Sequence, residues 1–254
     1  MTIFGRDMPG LDASHAGIVA EVVSGWEHLD EADRERLLDD TDALMRTKQW
    51  EAARGFELTE AMRVRIAAQA ALLILGLDFE TYRRVHSIIV HPRTIVRSGV
   101  RAGPVRGVVT EGELALLGQA AHGYGPIMMA WDAVLRDSRR RRLGRNVVFH
   151  EFAHKIDMLD DLIDGTPPIP DPVQRQQWID VCTEVFERVR GGTHTGPLRS
   201  YAAVNPGEFF AVATEVFFTT PAELLGAVPD LYGVLRSFYR QDPAARAEAR
   251  GEQV

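Results

Sequence analysis

Residues Val147-Val148-Phe149-His150-Glu151-Phe152-Ala153-His154-Lys155-Ile156-Asp157 carry the pattern H-E-x-x-H in an apolar setting. Asn146, just before them, can cap a helix that runs to about Leu159. On a helix, His150 and His154 stand one turn apart, so their imidazoles project from one face toward a shared metal ion. Glu151 points beside them, where a carboxylate can take a proton from a water that the metal activates. The apolar residues before the motif fit a helix buried at the core of a domain.

A catalytic zinc usually takes three protein ligands, so one more must come from elsewhere. The downstream pattern H-x-x-G-x-x-H is missing, because Lys155 to Asp160 contain no histidine. The later His194 sits between Gly192 and Gly196, a setting poor at fixing a ligand. A carboxylate on a second helix is therefore favoured, from among Glu184, Glu187, Glu208, Glu215 and Glu223. Glu208 stands out. It lies in the first turn after Pro206, beside Phe209, Phe210, Ala211 and Val212. A carboxylate entering an apolar helix needs compensation, which a metal supplies. Glu215 lies two turns along the same face, where it can hydrogen-bond a ligating imidazole or pair with an arginine.

Outward from this motif, the N-terminal part, residues 1–80, reads as helical. Asp30 can cap a helix with Leu37, Leu38, Leu44 and Met45 on its stripe, and Thr59 one that ends near Gly76. In the middle, Val85 to Val90 reads as a strand stopped by Pro92, followed by Val108-Val109 and by Ile127 to Trp131. Pro126 suits the start or the edge of a strand. Asp171-Pro172 opens another helix that Gly191-Gly192 closes, and Pro206 and Pro221 open two more. These elements predict an α+β fold, a mostly helical single domain over residues 1–254 around a small mixed sheet.

Composition bounds the class. The chain has 254 residues, 45% hydrophobic and 26% charged, with a net charge of −7. That is an ordinary globular balance, and its negative sign argues against direct nucleic-acid binding. The lone Cys182 cannot form an internal disulfide and fits the apolar face of Trp178, Val181 and Val185. The first ten residues lack a signal-peptide pattern, and the run Ala70–Leu77 falls far below the roughly 20 residues of a membrane helix. A cytoplasmic protein with no membrane partner is expected.

The residues His150 to Asp157, with Tyr201-Ala202-Ala203 and Pro206-Gly207-Glu208-Phe209-Phe210-Ala211-Val212, resemble the Mlc titration factor A family of bacterial cytoplasmic zinc metallopeptidases. Gly55-Phe56-Glu57-Leu58, Gly125-Pro126-Ile127 and Phe238-Tyr239-Arg240-Gln241-Asp242-Pro243 fit as well, so the resemblance covers most of the chain. It implies that His150, His154 and Glu208 bind one Zn2+ and that Glu151 is the general base. It also implies a zincin-like fold related to the catalytic domain of anthrax lethal factor. There, a tyrosine precedes the ligand glutamate by seven residues, the spacing of Tyr201 and Glu208 in this chain. Tyr201 then either donates to the oxyanion or packs at a helix entrance.

The expected activity is zinc-dependent hydrolysis of peptides, of aminopeptidase type by resemblance. The alternative is a regulatory protein that sequesters a transcriptional repressor. The edge of strand Ile127–Trp131 could hold an extended peptide. Arg139 to Arg142, with Arg136 and Arg145, read as a solvated loop rather than a nucleic-acid patch, since no aromatic residues interleave for base stacking, and attraction of a substrate carboxylate is a third option. Asp157 continues the i, i+4, i+7 series of the two histidines. It could orient a ligand, meet a substrate amine together with Asp160 or Asp161, or end the helix in a salt bridge.

Overall fold

Asn146, Thr59 and Asp30 each cap the helix expected of them. A computed structural model describes residues 11–53, 55–93, 125–139, 144–193 and 196–249. In the N-terminal part lie α1 (Ala13–Val22), α2 (Glu31–Thr47) and α3 (Glu60–Ile74). The Asp30 carboxylate accepts from Asp33 N, and Thr59 Oγ1 accepts from Met62 N. These caps satisfy backbone donors that the first helical turn leaves unpaired. Helix α3 is buried from Ile66 to Ile74, and α1 and α2 pack on it. Its end meets the C-terminal part closely. A Cβ added at Gly76 would stand 2.3 Å from the carbonyl oxygen of Tyr239, so only glycine fits.

Three short strands, β1 (Gln49–Ala52), β2 (Ser87–His91) and β3 (Ile127–Ala130), form a sheet in the order β1-β2-β3. Both pairings are parallel, with Trp50 opposite Ile88 and Val90 opposite Met129. The mixed sheet expected from sequence is thus all parallel among the described residues. The link from β1 to β2 contains α3, and such a crossover returns the chain in the same direction. Strand β1 also lies inside the stretch expected to be wholly helical. Its four residues, mostly exposed and without a β-branched side chain, give little strand signal. Val108-Val109 lies outside the described residues. Trp131, expected to end the third strand, instead opens α4 (Trp131–Arg139).

The C-terminal half contains α5 (Val147–Asp157), α6 (Pro172–Arg190) and α7 (Pro206–Thr219), then α8 (Pro221–Ala227), α9 (Pro229–Tyr239) and α10 (Pro243–Glu248). A single-turn 3-10 helix, Met158–Asp160, extends α5 to the expected limit. One hydrophobic core runs from Val19 to Ala244. Phe152 of α5 meets Tyr82 edge-on at 4.9 Å within it, and truncating so buried a ring to alanine costs about 3–5 kcal/mol. Helix α5 packs chiefly on α7. That contact positions the site.

Candidate metal centre

Helix α5 starts where Asn146 Oδ1 accepts from Val148 N and Phe149 N. Helix α7 starts where Asn205 Oδ1 accepts from Glu208 N at 2.9 Å, which fixes the Glu208 backbone itself. With both helices fixed at their N-termini, three side chains meet. His150 Nε2 and His154 Nε2 lie 3.2 Å apart, and Glu208 Oε2 lies 3.1 Å from the first and 3.5 Å from the second. Among the described residues, His150, His154 and Glu208 form the one cluster able to hold a metal ion.

The donor set fits a metal. Glu208 Oε2 is buried and has no hydrogen bond of acceptable geometry among the described residues, despite the two nearby nitrogens. His150 Nδ1 lies 2.7 Å from Glu215 Oε1, so that nitrogen donates and Nε2 is the one that faces His154 and Glu208. Two imidazole nitrogens and a carboxylate oxygen converging on one point are the donor types that a divalent metal such as zinc takes. Burial disfavours a charged His150 ring, but Glu208 and Glu215 outweigh it and lift the imidazole to about 10. Burial also opposes a charged Glu208, yet the two imidazoles hold its carboxyl well below the usual range. The cluster favours positive charge at its centre.

Glu215 joins this centre to its support. Its Oε1 also accepts from Arg199 Nη2 at 2.5 Å, and its Oε2 accepts from the backbone N–H of Asn146 at 2.7 Å. Asn146 Nδ2 in turn donates to Gln69 Oε1 of α3. The two roles considered for Glu215, bonding an imidazole and pairing with an arginine, occur together. Asp137 of α4 accepts from Val147 N and holds the start of α5 from another side.

Glu151 is buried beside the cluster, and burial pushes its carboxyl up to about 7. Tyr201 lies in a 3-10 turn, Ser200–Ala203, with its ring centroid 6.1 Å from that of His150. Burial first, then the Glu208 and Glu151 carboxylates, raises the phenol well above its ordinary value. Arg199 stands over the same ring at 5.8 Å.

Over residues 7–240, the chain matches the family described as glucose-regulated metallo-peptidase M90. The chain belongs to this family. An uncharacterized protein of Synechocystis sp. is 31% identical to it over 229 residues, which are 89% of this chain and 83% of that protein. Mlc titration factor A of Yersinia pestis is 30% identical over 244 residues, covering 89% of this chain and 88% of its own length. The same protein from Yersinia pseudotuberculosis matches equally. The resemblance read from the motifs is therefore a family membership.

For this M90 member, the remaining sequence candidates fall away from the centre. Glu184 and Glu187 are exposed on α6 and pair with Arg188 and Arg190, while Glu223 is exposed on α8. His194 and Arg140 to Arg142 lie outside the described residues. Arg136, Arg139 and Arg145 are exposed, and Arg136 pairs with its neighbour Asp137. Asp157 is fully buried and accepts from Gly165 N at 3.2 Å, so it ends α5 by holding a loop rather than by a salt bridge. Burial also pushes the Cys182 thiol up to about 12, which makes it inert. No described helix is long and apolar enough to cross a membrane.

Sequence reasoning missed Arg199, Asn146's link to Gln69, Asp137 and Lys155. Lys155 is buried and donates from Nζ to the Gly125 carbonyl at 2.7 Å, tying α5 to the entrance of β3. A lysine close to the apolar Phe152, Ala153 and Ile156 was the available signal for that one. The others have no periodic or spacing signature.

Proposed function

We propose that this protein is a cytoplasmic zinc peptidase whose whole chain forms one zincin-like catalytic unit, with α5 as its active-site helix. His150, His154 and Glu208 hold one Zn2+, Glu151 is the general base and Tyr201 donates to the oxyanion. The convergence of two Nε2 atoms and Glu208 Oε2, with the Glu151 carboxyl buried beside them, carries this reading.

When bound, zinc supplies Lewis acidity that polarises a peptide carbonyl and acidifies a water molecule. Glu151 takes the proton of the attacking water and later delivers it to the leaving amine. A carboxyl whose proton affinity is raised toward neutrality suits both transfers. Tyr201 keeps its proton, so its hydroxyl can donate as the carbonyl oxygen gains charge. Glu215 and Arg199 hold His150 in one tautomer and orientation. An extended peptide would lie along β3, which among the described residues has a neighbour on one side only.

Aminopeptidase action requires an acidic anchor for the substrate's free amine. Buried Asp157 cannot serve, and Asp161 is engaged by Arg84 at 2.7 Å, which leaves the exposed Asp160. A second reading, sequestration of a transcriptional repressor, draws on the printed name of the Yersinia relatives. Sequestration alone requires no buried carboxyl at position 151, so hydrolysis is the favoured role and both can coexist.

Zinc-loaded Glu151→Gln should retain its metal and lose about 10²–10⁴-fold in peptide hydrolysis. Wild-type turnover in that variant would overturn the assignment. Pull-down of a repressor by wild type and variant alike would establish binding as a separate activity.

A further inference from the structure

A cavity of about 330 Å³ opens between the start of α6, the loop Pro168–Pro170 and the end of α9. Its volume falls in the range of sites that hold small molecules. None of its lining residues belongs to the metal cluster or its support. The floor is apolar, with Ile169, Trp178 and Phe238, and the indole N–H of Trp178 is already spent on the Gly165 carbonyl. The polar residues of the lining are Gln174, Gln177, Ser237, Arg236 and Arg240. No acidic residue lines it, although the chain as a whole carries −7.

We propose that this cavity binds a small amphipathic carboxylate, an apolar body bearing one anionic end. The aromatic floor takes the hydrocarbon part, where removal of apolar surface from water drives binding. The charged end meets guanidinium forks, whose planar pairs of N–H donors match a carboxylate better than a rounder anion. Arg236 already binds one carboxylate, that of Asp242, at 3.2 Å. Among the described residues, Arg240 has no acidic group within ion-pair distance and is exposed at the rim. Gln174 and Gln177, three residues apart on one face of α6, can bond to a carboxylate or to an amide in the ligand.

Such a carboxylate could come from an acylated amino acid or from a simple organic acid. N-acetylphenylalanine and 3-phenylpropionate represent these sources, and the uncharged amide of each is its control. Titration calorimetry with the full chain should show one molecule of carboxylate bound, and about tenfold or weaker binding of the amides. The tighter of the two acids identifies the source. Binding should persist after the metal is removed by chelation, which separates this cavity from the zinc site.

Gly233 lines the cavity, and a Cβ added there meets no heavy atom within 4 Å. Gly233→Leu should therefore fill the space, keep the fold by circular dichroism, leave peptide hydrolysis unchanged and abolish binding. Arg240→Gln should weaken the acids but not the amides. Equal binding of acid and amide, or undiminished binding to folded Gly233→Leu, would overturn the proposal. So would loss of binding on chelation, or no binding of either acid at millimolar concentration.

Discussion

Oε1 of Glu215 lies 2.7 Å from His150 Nδ1, and the packing of α5 on α7 brings together these two residues, 65 positions apart in sequence. The carboxylate fixes which imidazole nitrogen donates and therefore which one faces His154 and Glu208. Its other oxygen holds the first turn of α5 through Asn146 N, so one side chain orients both His150 and the helix that carries it.

Glu215→Gln should weaken zinc binding about 10–100-fold while the ligand set stays intact. Chelator competition measures this. An unchanged zinc affinity would mean that the buried hydrogen bond does not orient His150. Glu208→Ala, by contrast, should lose the metal outright under mild chelation, read as zinc per chain after gel filtration.

Tyr201→Phe keeps the ring that packs near His150 and removes only the donor. Its kcat for peptide hydrolysis should fall about 10²-fold with little change in KM or zinc content. A variant as active as the wild type would leave Tyr201 as a packing residue at the entrance of α7.

Asp157 gives the stability a pH dependence of definite sign. Burial lifts its folded-state pKa to about 7 from an ordinary 3.8. Within that interval the native chain keeps a proton that the unfolded chain releases, so stability falls as pH rises. The full effect is on the order of 4 kcal/mol. In Asp157→Asn, whose amide oxygen can still accept from Gly165 N, the loss of thermal stability between about pH 4 and pH 7 should flatten. Melting curves that retain the wild-type slope would place the titration elsewhere.

Gly76→Ala should destabilise the fold without touching the metal. Its Cβ would collide with the Tyr239 carbonyl oxygen at 2.3 Å, backbone that cannot turn aside as a side chain would. A loss of about 1–3 kcal/mol is expected in denaturant unfolding, with zinc stoichiometry unchanged. Unfolding at the wild-type midpoint would show that the two segments separate easily.

Local rules made much of the frame legible. Caps at Asp30, Thr59 and Asn146 depend on residues within a turn of each other, as does the spacing that sets His150 above His154. Glu208 was legible for a related reason, because a carboxylate between Pro206 and Phe209 is out of place unless something compensates it. Strand β1 was not, since its pairing with β2 comes from a segment nearly 40 residues away and leaves no mark on Gln49 to Ala52.

By itself, the sequence determined that one capped helix carries His150, Glu151 and His154, because helix geometry fixes which side chains share a face. Only the tertiary structure decided that Glu215 meets His150 and Arg199 at once. It also decided that Asp157 turns inward to Gly165, and that the strands run parallel. Each of these depends on how separate elements pack, and packing distances are set by the whole core rather than by neighbours in the chain.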